Sequence, residues 1–302
     1  MQSQIEMNCC RLCPRSCGAN RDAGETGFCG AGACPRIFRW GPHFGEEPPL
    51  VGENGSGCVF FSRCTMKCIY CQNSPWSWGG KGDDMTTERL AGILRDLAVK
   101  DKCGNWNLVS PTPYLPYIRD AATALRHEGI RLPFVWNSSG YESAEVLEEY
   151  GELCDTALFD LRYSRNETAI SASAAPRYVE AARSAIGWAF RRDRPRPDIP
   201  RLIVRILVLP GHSDEAIENL AWLATELSPD IPVSIMSQFT PAYRATSTEP
   251  FNRKVSEEEY ESVTEAAADF GFENGWIQGY EAADPSLALL GENMQGGHGC
   301  VS

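Results

Sequence analysis

Ser62-Arg63-Cys64-Thr65-Met66-Lys67-Cys68-Ile69-Tyr70-Cys71 is the stretch on which the reading of this chain turns. It follows Val59-Phe60-Phe61, a short apolar run of the residue types that favour strands. Three thiolates spaced C-x₃-C-x₂-C can wrap one face of an iron–sulfur cubane. Four cysteines close such a cluster completely, so three leave one iron open to a small molecule. The bland alternative is a solvated or structural group of cysteines. The strand-to-loop position, with Tyr70 beside the last thiol, disfavours it.

Outward from this loop, apolar and amphipathic runs alternate. Strands are expected at Cys58–Phe61, Trp106–Val109, Phe134–Asn137, Ala157–Asp160, Leu202–Val208 and Val233–Gln238, with Trp276-Ile277-Gln278 as a short last one. Helices are expected at Thr87–Val99, Pro116–His127, Ala144–Leu153, Arg177–Phe190, Glu215–Glu226 and Glu257–Asp269. Pro116 suits a first helical position, and Ser256 with Glu259 reads as a capping box. Leu202–Val208 is apolar apart from Arg205, as a strand covered on both faces should be. Serial β-α units imply a parallel sheet with right-handed crossovers. The expected fold class is α/β: a partial (β/α)6 barrel over residues 55–282, a small cysteine-rich N-terminal module over 1–54, and a polar tail over 283–302. Active sites in such folds lie at the carboxyl ends of the strands.

The front module is rich in glycine and proline, shows no sustained periodicity and reads as loops held by metal. Cys10, Cys13, Cys17 and Cys29 form its candidate metal site, with Cys9 and Cys34 as near spares. A compact triplet plus a distant fourth cysteine suits a second iron–sulfur cluster, while four thiolates equally suit structural zinc. Cys58, Cys103, Cys154 and Cys300 read as core or surface thiols.

The net charge of −12 argues against a nucleic-acid partner, which needs a basic face. The one basic run, Arg191–Pro197, is broken by prolines and reads as a solvated loop. No stretch approaches the ~20 apolar residues of a membrane span, and Met1–Glu6 lacks the blocks of a signal peptide. Thirteen cysteines in that setting point to a reducing cytoplasm, where thiols serve metals.

Together with Gly55-Ser56-Gly57-Cys58-Val59-Phe60-Phe61 and Cys71-Gln72-Asn73, the C-x₃-C-x-aromatic-C loop resembles the radical S-adenosylmethionine (SAM) superfamily. Within it, the chain is similar to an uncharacterised branch near pyruvate formate-lyase activating enzyme, from about Cys10 to about Gln278. The resemblance implies a 4Fe–4S cluster on Cys64, Cys68 and Cys71, with SAM at the open iron. One electron from the cluster then yields methionine and a 5′-deoxyadenosyl radical that abstracts hydrogen. The implied SAM contacts are Tyr70, Asn137 and Ser139 of Asn137-Ser138-Ser139-Gly140-Tyr141, and Asp160 and Arg162 where activating enzymes carry Asp-x-Lys. Arg205, ahead of Val208-Leu209-Pro210-Gly211, is assigned to SAM or to Asp160.

One departure stands out. Where many relatives carry Gly-Gly-Glu after the second strand, this chain has Val109-Ser110-Pro111-Thr112-Pro113-Tyr114, with Thr112 as a partial substitute for the amine contact. Gln238 and Gln278 are candidates for the pocket wall, and His43, Glu46 and Glu47 for the active-site mouth; simple packing or linker roles suit them equally. The implied partners are a glycyl-radical enzyme or peptide as substrate and a flavodoxin- or ferredoxin-type electron donor. Two alternatives stay open: a radical SAM enzyme acting on a free peptide or small metabolite, and a non-enzymatic iron–sulfur carrier.

Overall fold

The computed structural model describes residues 7–192 and 199–280. Most of the basic run, the tail at 283–302 and Cys300 lie outside the described residues. Nine strands form one sheet among those residues: β1 (Arg36–His43), β2 (Ser56–Phe61), β3 (Asp83–Asp84), β4 (Trp106–Val109), β5 (Phe134–Ser138), β6 (Thr156–Asp160), β7 (Leu202–Leu207), β8 (Val233–Met236) and β9 (Gly275–Ile277). Their order is β3-β1-β2-β4-β5-β6-β7-β8-β9. From β2 through β4 to β9 every pairing is parallel, whereas β1 pairs antiparallel with both β2 and β3.

The helices are α1 (Pro48–Val51), α2 (Ser74–Ser77), α3 (Thr87–Val99), α4 (Leu115–His127), α5 (Ala144–Glu149), α6 (Asn166–Ser173), α7 (Tyr178–Arg191), α8 (Ser213–Glu226) and α9 (Glu257–Asp269). They cross between parallel strands, so β2 is buried at every position and β4 to β7 nearly so. A single main core runs from Leu12 and Ile37 through the strands to Val263 and Ala267. The expected capping box closes α9: the Glu259 N–H donates to Ser256 Oγ (3.2 Å), and the Ser256 N–H donates to Glu259 Oε2 (2.7 Å).

Besides the short α1, α2 and β3, two longer elements depart from the sequence expectation. β1 lies where only loop was expected, because Gly41-Pro42 interrupts its alternation and its partner strands are non-local. α6 was not expected either. Its apolar residues are few and small, and what holds it is contact with the cysteine loop rather than an amphipathic stripe.

The front module folds back on itself and onto the barrel. The Cys10 N–H donates to Ala19 O (3.0 Å), and the Gly18 N–H donates to Cys10 O (2.9 Å). Arg21, 1% exposed, joins the two parts: Nε donates to Gly32 O (2.8 Å), and Nη1 to Pro113 O (2.6 Å). Removing that guanidinium leaves both carbonyls without a donor, at about 1–3 kcal/mol each. Arg21→Ala is expected to lower the urea midpoint by an amount equivalent to about 2–4 kcal/mol. Arg21→Lys, able to reach one carbonyl, should recover part of it. An unchanged midpoint in Arg21→Ala would remove this tie from the account.

Candidate active site

A pocket opens where the carboxyl ends of β2 and β4 to β8 converge. Cys64, Cys68 and Cys71 all line it. They sit on an irregular loop that turns out of β2 at Arg63, whose φ is +73°. Two distant segments hold that loop by its backbone. The Lys67 and Ile69 N–H groups donate to Ser173 O (2.9 Å) and Ala172 O (2.8 Å) at the end of α6. On the other side, the Ile69 carbonyl accepts from the Arg244 and Ala245 N–H groups (2.9 and 3.0 Å).

Every thiol of the three has one hydrogen-bond donor. The Met66 N–H reaches Cys64 Sγ (3.5 Å), Arg162 Nη1 reaches Cys68 Sγ (3.0 Å), and Ser77 Oγ lies 3.1 Å from Cys71 Sγ. Burial raises the Cys64 thiol and pushes Cys71 up to about 12, with the neighbouring Cys68 adding to both. Burial keeps both thiols protonated before metal binds although the positive charges of Arg162 and Lys67 lie near, so loading with metal must release their protons.

Asp160 and Arg162 also line the pocket and bind each other. Arg162 Nε and Nη2 both donate to Asp160 Oδ2 (3.0 and 2.5 Å). The Tyr178 hydroxyl lies between the carbonyls of Ser139 (2.9 Å) and Asp160 (3.0 Å) and accepts the Arg162 N–H (3.0 Å). Asn137 and Ser139 complete this wall, and Asn137 Nδ2 donates to Asn107 Oδ1 (3.2 Å). Tyr70 lines the pocket too, but its hydroxyl bonds that of Tyr163, and its ring packs on Phe239 and Phe251.

Arg205 lines the pocket as its SAM assignment expects, but its Asp160 alternative requires a correction. Asp160 sits opposite it in the register of β6 and β7, yet the direct partners of Arg205 are Glu46 and Glu47. Nε and Nη2 grip Glu47 in a bidentate pair (both 2.7 Å), Nη2 also reaches Glu46 Oε2 (2.5 Å), and Nη1 lies 3.5 Å from Asn137 Oδ1. Burial works against the Glu47 carboxylate, and Arg205 more than compensates, holding it below the usual range. The linker is thus both things the sequence left open: His43 and Glu46 line the pocket, and Glu47 ties the linker to β7.

Thr112 is a second correction. It does not line the pocket; its hydroxyl donates to Glu142 Oε1 (2.7 Å), and the carbonyl of Pro113 receives Arg21. The stretch after the second barrel strand therefore docks the front module, with Val109 and Ser110 alone of it on the pocket wall. Gln238 lines the pocket, while Gln278 stands behind it, with Nε2 3.5 Å from Gln238 Oε1. His212 is a loop residue, paired with Glu215 (3.2 Å) and stacked on Phe251. The sequence did not disclose Ser77, a pocket residue six positions beyond Cys71 with no motif to mark it, nor Tyr163 and Tyr178, which act through neighbours remote in the chain.

In the front module, Cys13 feels Cys29 and Cys10, and Cys29 feels Cys10 and Cys17, so the four candidate thiols form one neighbourhood. Cys34 answers instead to Asp84. Arg15 stands between the two thiol groups: its Nε donates to Thr65 O (2.7 Å), and it lies in the field of Cys13 and Cys64 alike. Among the described residues, no three His, Cys, Asp or Glu side chains gather closely enough to hold a single metal ion. Three thiols around one pocket, each with a donor on its sulfur, instead suit a polynuclear cluster whose irons take one thiolate apiece.

The sequence matches the model of the Radical SAM superfamily over residues 58–224. The chain belongs to that superfamily. Its cofactors are accordingly a 4Fe–4S cluster and SAM, and it is an enzyme of SAM radical chemistry. An uncharacterized protein of Methanocaldococcus jannaschii is 26% identical over 273 residues, covering 87% of this chain and 75% of its own length. Among solved structures, Streptococcus suis SuiB bound to S-adenosylmethionine aligns with a TM-score of 0.44 and 12% identity over 74% of this chain. SuiB bound to its precursor peptide SuiA gives 0.44 and 13% over the same share. The chain spans about half the length of these SuiB chains. No helix among the described residues is long and apolar enough to cross a membrane.

Glu142 gives this radical SAM chain a pH signature. It is 1% exposed. Burial raises its carboxyl to about 7, against opposing hydrogen bonds from Thr112, Ser138 and Trp136. A carboxyl whose folded value is raised favours the fold below the unfolded value, and that contribution is lost as pH rises to the folded one. Stability is expected to fall between about 4.5 and about 7, by about 3 kcal/mol at one pKa unit per 1.36 kcal/mol. Glu142→Gln should flatten that slope in denaturation curves taken across the window; an identical slope in the variant would dismiss Glu142 as its source.

Proposed function

We propose that the chain binds the cluster through Cys64, Cys68 and Cys71, seats SAM against Tyr70, Asn137, Ser139, Asp160, Arg162 and Arg205, and abstracts hydrogen from a glycyl residue of a partner enzyme. The observation that carries the site is that these nine residues line one pocket at the carboxyl ends of parallel strands. Once bound, the cluster and SAM supply the electron and the carbon-centred 5′-deoxyadenosyl radical. The chain's own residues do the rest. The clamped loop fixes the thiols, and Asp160 fixes Arg162, leaving one N–H on each Nη for the methionyl carboxylate. The Glu46–Glu47–Arg205 group sets linker and strand together at the inner wall.

The glycyl substrate rests on the resemblance to activating enzymes, and a free peptide or small metabolite would use the same pocket. A flavodoxin- or ferredoxin-type protein is the electron donor of this reading. Residues 1–54 and 55–282 are its two functional parts, and a reducing cytoplasm is its setting. For the front module this reading puts a second iron–sulfur cluster or structural zinc on Cys10, Cys13, Cys17 and Cys29, whose thiols feel one another.

Reconstituted without oxygen and given SAM and dithionite, the wild type should release 5′-deoxyadenosine, and a Cys64/Cys68/Cys71→Ala variant none. Wild type that holds its cluster and yields no deoxyadenosine would move the electron-carrier reading ahead. Adding a candidate glycyl-radical enzyme should generate an oxygen-sensitive backbone radical, visible by electron paramagnetic resonance. Deoxyadenosine release without that radical would shift the substrate to a peptide or metabolite. A Cys10/Cys13/Cys17/Cys29→Ala variant should lose about half of the bound iron, whereas zinc in the wild type, with full iron retained in the variant, would decide for a structural metal.

A further inference from the structure

Arg162 stands where the resemblance places a lysine, and the structure shows what the exchange allows. A lysine offers one ammonium on a flexible stem, whereas a guanidinium is a planar fork with donors on three nitrogens. In this chain the fork is divided. Nε and Nη2 are fixed on a single oxygen of Asp160 (3.0 and 2.5 Å), which turns the third nitrogen, Nη1, onto Cys68 Sγ at 3.0 Å. Neither end of this bridge is loose. The Asp160 carbonyl and the Arg162 N–H are both tied to the Tyr178 hydroxyl, and Cys68 sits on the clamped loop. Asp160 and Arg162 side chains are 14% and 20% exposed, so little water competes for the contact.

The other two thiols receive weaker donors: a backbone N–H at 3.5 Å on Cys64, and the Ser77 hydroxyl 3.1 Å from Cys71. Among the described residues, Cys68 is the one thiol of the three with a hydrogen bond from a charged donor, whereas Lys67 and Arg15 act on Cys64 through their field. Hydrogen bonds to cluster sulfurs and local charge are among the levers by which a protein sets an iron–sulfur potential. A charged donor stabilises the form of the cluster with more negative charge on its sulfurs, which is the reduced one.

We propose that Arg162, oriented by Asp160, donates a charge-assisted hydrogen bond to the Cys68 sulfur of the bound cluster and so makes the cluster easier to reduce. Arg162 is in this respect a positioning and tuning residue, distinct from any contact it makes with SAM, and Ser77 is its weaker counterpart at Cys71. The inference rests on the assignment of the cluster to Cys64, Cys68 and Cys71. A wild type whose iron content is unaffected by the triple cysteine variant would defeat that assignment, whatever happens at Arg162.

The test is a redox titration of the reconstituted protein without SAM, following the reduced-cluster signal by electron paramagnetic resonance. Arg162→Lys and Arg162→Gln, with wild-type iron and sulfide, should each reduce the ratio of reduced to oxidised cluster at a fixed potential about tenfold. For one electron that is a shift of about 59 mV to lower potential. Ser77→Ala should move the ratio in the same direction by less. Unshifted titrations in both Arg162 variants would overturn the proposal. Because those variants could lose the cluster, the wild type is also labelled with ¹⁵N-arginine. A ¹⁵N coupling in the spin-echo spectrum of its reduced cluster is the expected result, and a spectrum without one would equally overturn the bridge.

Discussion

Three thiols can serve one cluster only if they point to one place, and a loop without regular structure does not secure that by itself. The cysteine loop has no internal ladder; its backbone is held from outside, by the end of α6 on one side and by residues 244 and 245 on the other. Each such bond is worth only about 1 kcal/mol net, but together they remove the freedom that the loop would otherwise have to lose on binding metal. The end of α6 supplies two of these carbonyls, from Ala172 and Ser173.

Buried arginines do the corresponding work between the larger parts. Arg21 and Arg15 tie the front module to the stretch after β4 and to the cysteine loop, and Arg205 ties the linker to β7. A guanidinium inside an apolar strand is tolerable only when its charge and N–H groups are met, and removing either partner leaves the other stranded. Such pairs contribute less to net stability than to choosing one arrangement over others. Here they choose one in which the linker, the sheet and the front module all meet close to the same pocket.

Within that frame the exchange of lysine for arginine at position 162 becomes intelligible. Asp160 holds two of the three guanidinium nitrogens, so the direction of the third is decided by the carboxylate rather than by the flexible stem. The same side chain thereby touches the residue types expected to hold SAM and the thiol expected to hold iron, which a point charge on a single nitrogen could not do as rigidly.

Much of this was legible in the sequence. The cysteine spacing, the β-α alternation, the ends of α3 and α9 and the capping box are all local signals, carried by residues within a few positions of one another. They sufficed for the superfamily and the fold class. The misplaced details were all non-local. Arg205 turned to Glu46 and Glu47 rather than Asp160, Thr112 to Glu142 rather than the pocket, and β1 paired where only loop was expected. Side-chain partners across a sheet depend on register and on which face each strand turns inward, and a shift of one residue reverses that face. Local spacing therefore determined what chemistry the chain could hold, and the tertiary fold, which brings the linker carboxylates of Glu46 and Glu47 against Arg205 of β7, decided which charges meet around it.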